Sequence, residues 1–151
     1  MNLEENTFSV DKPEESSGFL LWQVTNLWQR EIKKALEEFG ITHSQFVLMA
    51  SIHWLTLQKQ EVTQVVLSNH TKIDPMTTST VLRTLQQKGF VQRQEHRTDT
   101  RAKVVLLTLD GIEITKKAVI AVENFDTQFF SVLGKKTKEL NANLLTLLGQ
   151  N

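Results

Sequence analysis

Apolar side chains recur every three or four residues through most of this chain, with one interruption near its middle. The stretches with this spacing predict helices over about 19–39, 42–59, 64–72, 74–88, 109–133 and 135–148. Between the fourth and fifth helices, two runs rich in Val and Leu, 90–94 and 103–107, flank a polar loop and predict a β-hairpin. Four helices, a hairpin and two helices predict an α+β, mostly α fold, in which a helix-turn-helix is followed by a two-stranded wing.

Residues suited to helix ends support these boundaries. Gly40 follows the first helix and fits a C-terminal cap. Thr63 is a good N-cap for the third helix. The pair Asp74 and Pro75 is the clearest helix start, because Asp accepts hydrogen bonds from free amides and Pro loses no needed N–H in a first turn. Gly89 ends the fourth helix.

The first helix carries more apolar surface than one neighbour would need. Its expected core stripe consists of Leu21, Val24, Trp28, Ile32, Ala35 and Phe39. Trp22 and Leu27 lie off that stripe. We therefore expect this helix to meet more than one neighbour.

Composition excludes several classes of function. The 151 residues contain no cysteine, which rules out disulfides, thiol chemistry and thiolate zinc sites. The four histidines are far apart in sequence, so no metal site is expected. No phosphate loop or nucleophile motif occurs, so we expect neither an enzyme nor a cofactor. No apolar run is long enough to span a membrane, and the acidic N-terminus is unlike a secretory signal, which favours a cytoplasmic protein.

The formal net charge is zero, but the charges are unevenly distributed. Between positions 72 and 103, three acids (Asp74, Glu95 and Asp99) face a larger set of cations: Lys72, Arg83, Lys88, Arg93, Arg97, Arg101 and Lys103. A local excess of cations is the electrostatic requirement for binding nucleic acid, whatever the net charge of the whole chain.

The fourth helix has two contrasting faces. Helical spacing places Thr78, Val81, Leu82 and Leu85 on a buried side. The other side and its flanks carry small, polar or cationic residues: Met76, Thr77, Ser79, Thr80, Arg83 and Gln87. Such a face can enter a DNA major groove, where methyl groups meet thymine and Arg83 reaches guanine or phosphate. The alternative is a merely solvated face.

The loop of the hairpin supports the first interpretation. Arg97, Asp99 and Arg101 lie at its tip, and an arginine on a narrow ribbon can enter the DNA minor groove. Asp99 would pair with a neighbouring arginine, with Arg101 as the candidate, and hold it in one orientation. The alternative is a charged tip that keeps the hairpin soluble.

In this order and at these spacings, four short motifs resemble the MarR (multiple antibiotic resistance regulator) family over about 41–118. They are the stretch 67–75 before the fourth helix, Lys88-Gly89-Phe90-Val91 after it, Asp99-Thr100-Arg101-Ala102 in the wing, and the stretch 107–111 after the hairpin. The resemblance implies a bacterial winged-helix homodimer that binds pseudo-palindromic double-stranded DNA near promoters, usually as a repressor. The sequence departs from the family at Thr71, Lys72 and Thr80. Position 72 is often Gly and position 80 often Arg in the family, so base preference cannot be carried over. Lys72 is a candidate phosphate contact or simply a solvated lysine.

The resemblance also implies that the terminal helices form the dimer interface. We then expect a flexible acidic tail over 1–17 and one domain over 18–151, with the DNA-binding lobe at 41–110 and dimerisation helices at 18–40 and 111–151. The apolar content of the C-terminal region agrees, and the residues expected at the interface are Phe125, Phe129, Leu144 and Leu148. Burial of these residues within a single chain is the competing account.

Many members of the family release DNA when a small, often phenolic, ligand binds between the dimer helices and the DNA-binding lobe. Candidate pocket residues for a small aromatic effector are Trp22, Trp28, His43, His53 and Trp54. A packed aromatic core is the alternative. The rival for the function as a whole is a winged-helix module that binds protein and not DNA.

Overall fold

The computed structural model describes residues 7–95, 98 and 103–149 of the chain. Within them the helices and strands follow the predicted order. They are α1 (Ser17–Leu36), α2 (His43–Leu57), α3 (Gln64–Thr71), α4 (Pro75–Gln87), β1 (Val91–Glu95), β2 (Lys103–Leu107), α5 (Leu109–Phe130) and α6 (Thr137–Leu147). Short 3-10 turns occupy Pro13–Glu15, Glu37–Phe39 and Ser131–Lys136. The predicted fold class, α+β and mostly α, is confirmed.

Side chains immediately before the first five helices accept hydrogen bonds from backbone amides of the first turn. These N-cap residues are Ser16, Thr42, Thr63, Asp74 and Thr108. At α2 the cap is reciprocal, because Gln45 N donates to Thr42 Oγ1 at 3.1 Å while Thr42 N donates to Gln45 Oε1 at 3.0 Å. Local sequence therefore determines where these helices start.

The helix ends differ from the predictions by a few residues. α1 ends at Leu36 and continues as a 3-10 turn to Gly40, whose φ of 67° confirms the predicted cap. α2 ends at Leu57 and not near Lys59, since Lys59 has a φ of 61° that no right-handed helix accommodates. The fifth helix stops at Phe130, before a segment in which Gly134 breaks the helical geometry.

The segment before α1 contains local structure. α1 starts at Ser17, and the 3-10 turn Pro13–Glu15 precedes it. Asp11 N donates to Glu15 Oε2 at 3.1 Å, so hydrogen bonding extends back to residue 11. A proline, a cap and an acidic side chain thus give residues 11–17 local hydrogen-bonded structure, and the flexible tail over 1–17 stays a prediction.

The hairpin is antiparallel, and its register pairs Val91 with Leu107 and Glu95 with Lys103. Val105 N also donates to Val62 O at 2.7 Å, so the chain just before α3 pairs with the free edge of β2. This contact ties the hairpin to the start of the helix-turn-helix.

The core lies where α1, α2 and α5 meet the helix-turn-helix and the hairpin. Of the predicted stripe on α1, Ile32 is fully buried, and Trp28 and Phe39 pack against the core. Leu21 and Val24 are 55% and 47% exposed, so their assignment to the core is wrong for a single chain. The first half of α1 therefore retains apolar surface that one copy of the chain leaves uncovered.

A close backbone contact joins the start of α5 to the start of the hairpin. Thr108 N donates to Phe90 O at 3.0 Å, and Thr108 Oγ1 donates to Gly89 O at 2.7 Å. A Cβ atom on Gly111 would lie only 2.1 Å from Phe90 O. Only glycine therefore fits at position 111.

We predict that Gly111→Ala lowers the free energy of unfolding by about 3 kcal/mol, because helix and hairpin must move apart to admit the methyl group. Chemical denaturation followed by circular dichroism measures the change. Gly18→Ala is the matched control, since nothing lies within 4 Å of a Cβ there. It should raise stability by about 0.5–1 kcal/mol through helix propensity. Equal effects at the two positions would contradict the steric argument.

Candidate nucleic-acid interface

α4 presents the face that the sequence predicted. Thr78, Leu82 and Leu85 are fully buried, and Val81 packs against the core. The residues of the opposite side are exposed or, for Ser79, half-buried: Met76, Thr77, Ser79, Thr80, Arg83 and Gln87. Met76, in the first turn, is 80% exposed. The face proposed to contact DNA is thus accessible along the whole helix.

Asp74, the acid next to this face, forms hydrogen bonds with the first turn of the helix that it caps. Its carboxylate accepts hydrogen bonds from Thr77 N at 2.8 Å and from Thr77 Oγ1 at 2.7 Å. These two hydrogen bonds lower the pKa of Asp74, the backbone one contributing most. The negative charge therefore lies at the positive end of the helix dipole, where it is partly compensated.

The threonine hydroxyls on the exposed face are already used as donors. Thr77 donates to Asp74, and Thr80 Oγ1 donates to Met76 O at 3.1 Å. What these two residues offer to a ligand is a methyl group and an oxygen that accepts hydrogen bonds. Their chemistry suits contact with thymine methyls or with base amino groups.

Arg93, on β1, connects the hairpin to α4. Its Nη2 donates to Ser79 O at 3.0 Å, and its Nε is buried with no hydrogen-bond partner among the described residues. Burial, and secondarily the charge of nearby Arg83, lower the pKa of Arg93. A cation held against the helix backbone beside a second, exposed cation makes the local potential positive.

Arg93 was counted among the cations of the region but was missed as a structural link. The alternation of inward and outward side chains along β1 could have revealed this link. Arg93 lies two residues after buried Val91 and so points to the same face of the hairpin.

Lys88 also has a structural contact. Its Nζ donates to Gly40 O at 2.8 Å and to Gln45 Oε1 at 3.0 Å. Gln45 is buried and is the residue that closes the capping box of α2. The C-terminal end of α4 is therefore attached to the turn between α1 and α2.

Lys72 occupies the turn between α3 and α4 with a left-handed φ of 64°. Its side chain is exposed. This conformation explains why glycine is frequent at the position in the family that the sequence resembles, because only glycine adopts it without steric cost.

The wing residues Arg97, Asp99 and Arg101 lie outside the described residues, and their roles stay predictions. On either side of them, β1 ends at Glu95 and β2 begins at Lys103.

Two of the five candidate pocket residues come together around Asp126 of α5. Trp28 Nε1 donates to Asp126 Oδ1 at 2.8 Å, and the rings of Trp28 and His43 meet edge to face with centroids 5.0 Å apart. Burial lowers the pKa of His43, and the charge of Asp126 partly opposes this effect. His43 also lines a groove at the turn between α1 and α2, beside Lys33 and Thr42.

The remaining three candidates lie elsewhere. His53 and Trp54 line a second groove between α2, α3 and α5, together with His70 and Glu123. Trp22 is 65% exposed on the first half of α1 and lines neither groove. The five residues therefore do not form one pocket within a single chain.

The candidate interface residues differ in burial. Phe125 packs against the core, and its ring contacts Phe129 with centroids 5.6 Å apart. Leu144 and Leu148, on and just after α6, are exposed. Single-chain burial thus accounts for Phe125 and leaves the apolar surface of α6 open.

Comparisons with known proteins agree with this architecture. The family model for the ArnR1-like winged-helix domain matches residues 37–124. The uncharacterized HTH-type transcriptional regulator YdcH of Bacillus subtilis (strain 168) is 41% identical over 129 residues, covering 85% of this chain and 88% of that protein. This chain is a winged-helix transcriptional regulator. It belongs to the ArnR1-like winged-helix family, and its motifs resemble those of the MarR family.

Solved structures show the same fold. The S. aureus MepR–DNA complex superposes with a TM-score of 0.80 at 22% identity, over 91% of this chain and 98% of that one. Wild-type MarR from E. coli, in its apo form, superposes with a TM-score of 0.70 at 24% identity, over 88% and 97%. Within the described part of this family member, no helix is long and apolar enough to cross a membrane.

We predict that Lys72→Gly raises the free energy of unfolding by about 1 kcal/mol, because glycine relieves the left-handed strain at this turn. Thermal or chemical unfolding measures the gain. Lys72→Ala is the control: it removes the same charge but keeps a Cβ, so it should bring no such gain. A similar gain in both variants would indicate that the lysine charge, and not the backbone, is unfavourable.

Proposed function

We propose that this winged-helix regulator works as a two-fold homodimer that represses transcription by binding a pseudo-palindromic DNA site. α4 enters the major groove, the hairpin loop contacts the flanking minor groove, and a small aromatic effector releases the DNA. The observation that supports this proposal best is the exposed face of α4. The acid next to this face, Asp74, is held in the N-terminal cap of the helix.

Phosphate binding needs cations that other groups do not neutralise. Arg83 is exposed on the outward face of α4 and forms no ion pair with another described residue. Arg93 adds positive charge behind it, and Lys72 lies exposed at the turn before the helix. Arg83 and Arg93 lie close enough for the charge of one to lower the pKa of the other, whereas Lys88 is committed to the turn between α1 and α2.

Base reading is proposed for the first half of α4. Helix-turn-helix proteins contact base edges mainly with the N-terminal part of the recognition helix. In this chain that part carries Met76, Thr77 and Thr80, whose methyl groups suit thymine, followed by Arg83. Two such helices in a symmetric dimer would lie about one DNA turn, roughly 34 Å, apart.

For the effector we propose the region around Trp28, His43 and Asp126. It joins α1 and α5, which belong to the proposed dimer region, to the first turn of α2 in the DNA-binding lobe. An aromatic molecule that displaces the Trp28 ring would alter the packing between these parts and so the spacing of the two α4 helices. The groove with His53 and Trp54 is the second candidate site.

Selection of bound fragments from a random DNA pool, followed by fluorescence anisotropy at increasing salt, tests DNA binding. We expect affinity to fall steeply with salt as counterions are released. Arg83→Ala should weaken binding to the selected site by about tenfold or more, and weaken binding to random DNA less. Lys117→Ala, which removes an exposed cation paired with Glu113 on α5, is the control and should change neither.

Arg101→Ala should lower affinity on selected and random DNA alike, because the minor groove discriminates bases poorly.

Equal losses on both DNAs for Arg83→Ala would refute its base-reading role. Weak binding that does not respond to salt would favour the protein-binding alternative.

Dimerisation is tested by Phe129→Glu and Leu148→Glu, which place a charge in the proposed apolar interface. We expect sedimentation velocity to show a shift from dimer to monomer, because a buried unpaired carboxylate is costly. Val65→Glu, at a 68% exposed position on α3, is the matched control and should remain dimeric. If both interface variants stay dimeric while folded by circular dichroism, the interface lies elsewhere.

A further inference from the structure

The methionines of this chain differ in their access to solvent. Two of the three lie within the described residues, and Met1 lies outside them. Met49, on α2, is fully buried in the core, whereas Met76, in the first turn of α4, is 80% exposed. A dissolved oxidant can therefore reach the sulfur of Met76 in the folded protein, while the sulfur of Met49 is shielded.

Hydrogen bonds to the backbone hold the first turn of α4 in place. Gln64 Nε2 donates to Pro75 O at 3.3 Å, which ties this turn to the start of α3. Thr80 Oγ1 donates to Met76 O at 3.1 Å. The backbone of Met76 is thus held, and its exposed side chain extends from a defined point on the face proposed to contact DNA.

We propose that Met76 is a site of reversible oxidation, at which hydroperoxides convert the thioether to a sulfoxide and weaken DNA binding. The inference rests on the proposed function, in which the methyl group of Met76 approaches a thymine in the major groove. It adds a means of regulation to that site. The chain has no cysteine, so a hydroperoxide meets no thiol and its expected targets are accessible thioethers.

The reaction balances with the hydroperoxide as its only co-reactant. The thioether sulfur of Met76 donates an electron pair to the terminal peroxide oxygen, an S–O bond forms, and the O–O bond breaks. The proton on the transferred oxygen passes through solvent to the leaving oxygen, which departs as an alcohol or, from hydrogen peroxide, as water. Sulfur loses two electrons and the peroxide gains them. Methionine sulfoxide reductases reverse the change.

The sulfoxide alters what Met76 offers to DNA. An apolar, flexible side chain becomes polar and carries an oxygen that accepts hydrogen bonds. Placing that oxygen against a thymine methyl group removes it from water without a donor, which is unfavourable. Its partial negative charge is also repelled by the phosphates that flank the groove. Because a two-fold dimer presents two copies of α4, the loss occurs twice.

Fluorescence anisotropy on DNA fragments selected from a random pool tests the proposal. We expect hydrogen peroxide, at a dose that converts Met76 fully by peptide mass spectrometry, to raise the Kd of the wild-type protein roughly tenfold or more. Met76→Leu keeps an apolar side chain of similar size without sulfur, so it should bind nearly as well as wild type and show no response to peroxide. Met49→Leu is the matched control: it retains Met76 and should respond like wild type.

Further measurements identify the sulfoxide itself as the cause. Met76→Gln places a polar, hydrogen-bonding side chain of similar length at the same position, and without peroxide it should bind as weakly as oxidised wild type. Incubation of the oxidised protein with the two methionine sulfoxide reductases, one for each epimer, should restore binding. Saturating DNA should slow the oxidation of Met76, followed by mass spectrometry, several-fold, since the bound duplex covers its side chain.

Full conversion of Met76 with unchanged affinity would refute the proposal. An equal loss of affinity in the wild type and in Met76→Leu would also refute it, because the oxidised group responsible would lie elsewhere. Oxidation of Met76 at the same rate with and without bound DNA would place this side chain outside the contact. An untreated protein that selects no DNA would refute the proposed function and this inference together, whereas the three preceding outcomes leave DNA binding itself intact.

Discussion

The burial of one face of α4 is the constraint on which the rest of the DNA-binding lobe depends. Thr78, Leu82 and Leu85 are fully removed from solvent, in a helix that packs against α2, α3 and β1. Because these three side chains fix the rotation of the helix about its axis, they also determine which residues point outward. The outward side then contains small and cationic residues, and Asp74, the acid that precedes the helix, is held in the helix cap.

Two polar contacts fix the position of the same helix along its axis. Arg93 attaches the N-terminal half of α4 to the hairpin, and Lys88 attaches its C-terminal end to the turn between α1 and α2. Lys88 donates to a backbone carbonyl at a turn, where carbonyls lack a helical partner, whereas Arg93 donates to the carbonyl of Ser79 within α4. The recognition helix is thereby connected both to the wing and to the region that we propose for dimerisation and effector binding.

The apolar residues of α1, α5 and α6 fall into two groups, one buried within the chain and one exposed. The second half of α1 and much of α5 enclose the core of one chain, where Ile32, Ala118 and Val122 are buried. The first half of α1 and α6 leave their apolar side chains exposed, which is unfavourable for an isolated molecule. A second copy provides the cover in our proposal. The same surface therefore links folding of the terminal helices to assembly.

The sequence by itself determined the order of elements, the helix starts and the two faces of α4, because caps, turn glycines and helical spacing act over a few residues. It also located the cation-rich stretch. Only the tertiary structure decided that Arg93 and Lys88 serve as links, that Leu21 and Val24 leave the core, and that Trp22, His53 and Trp54 lie apart from Trp28 and His43. These outcomes depend on which surfaces meet between distant parts of the chain, such as Trp28 and Asp126, which are 98 positions apart. Local patterns carry no information on such pairings.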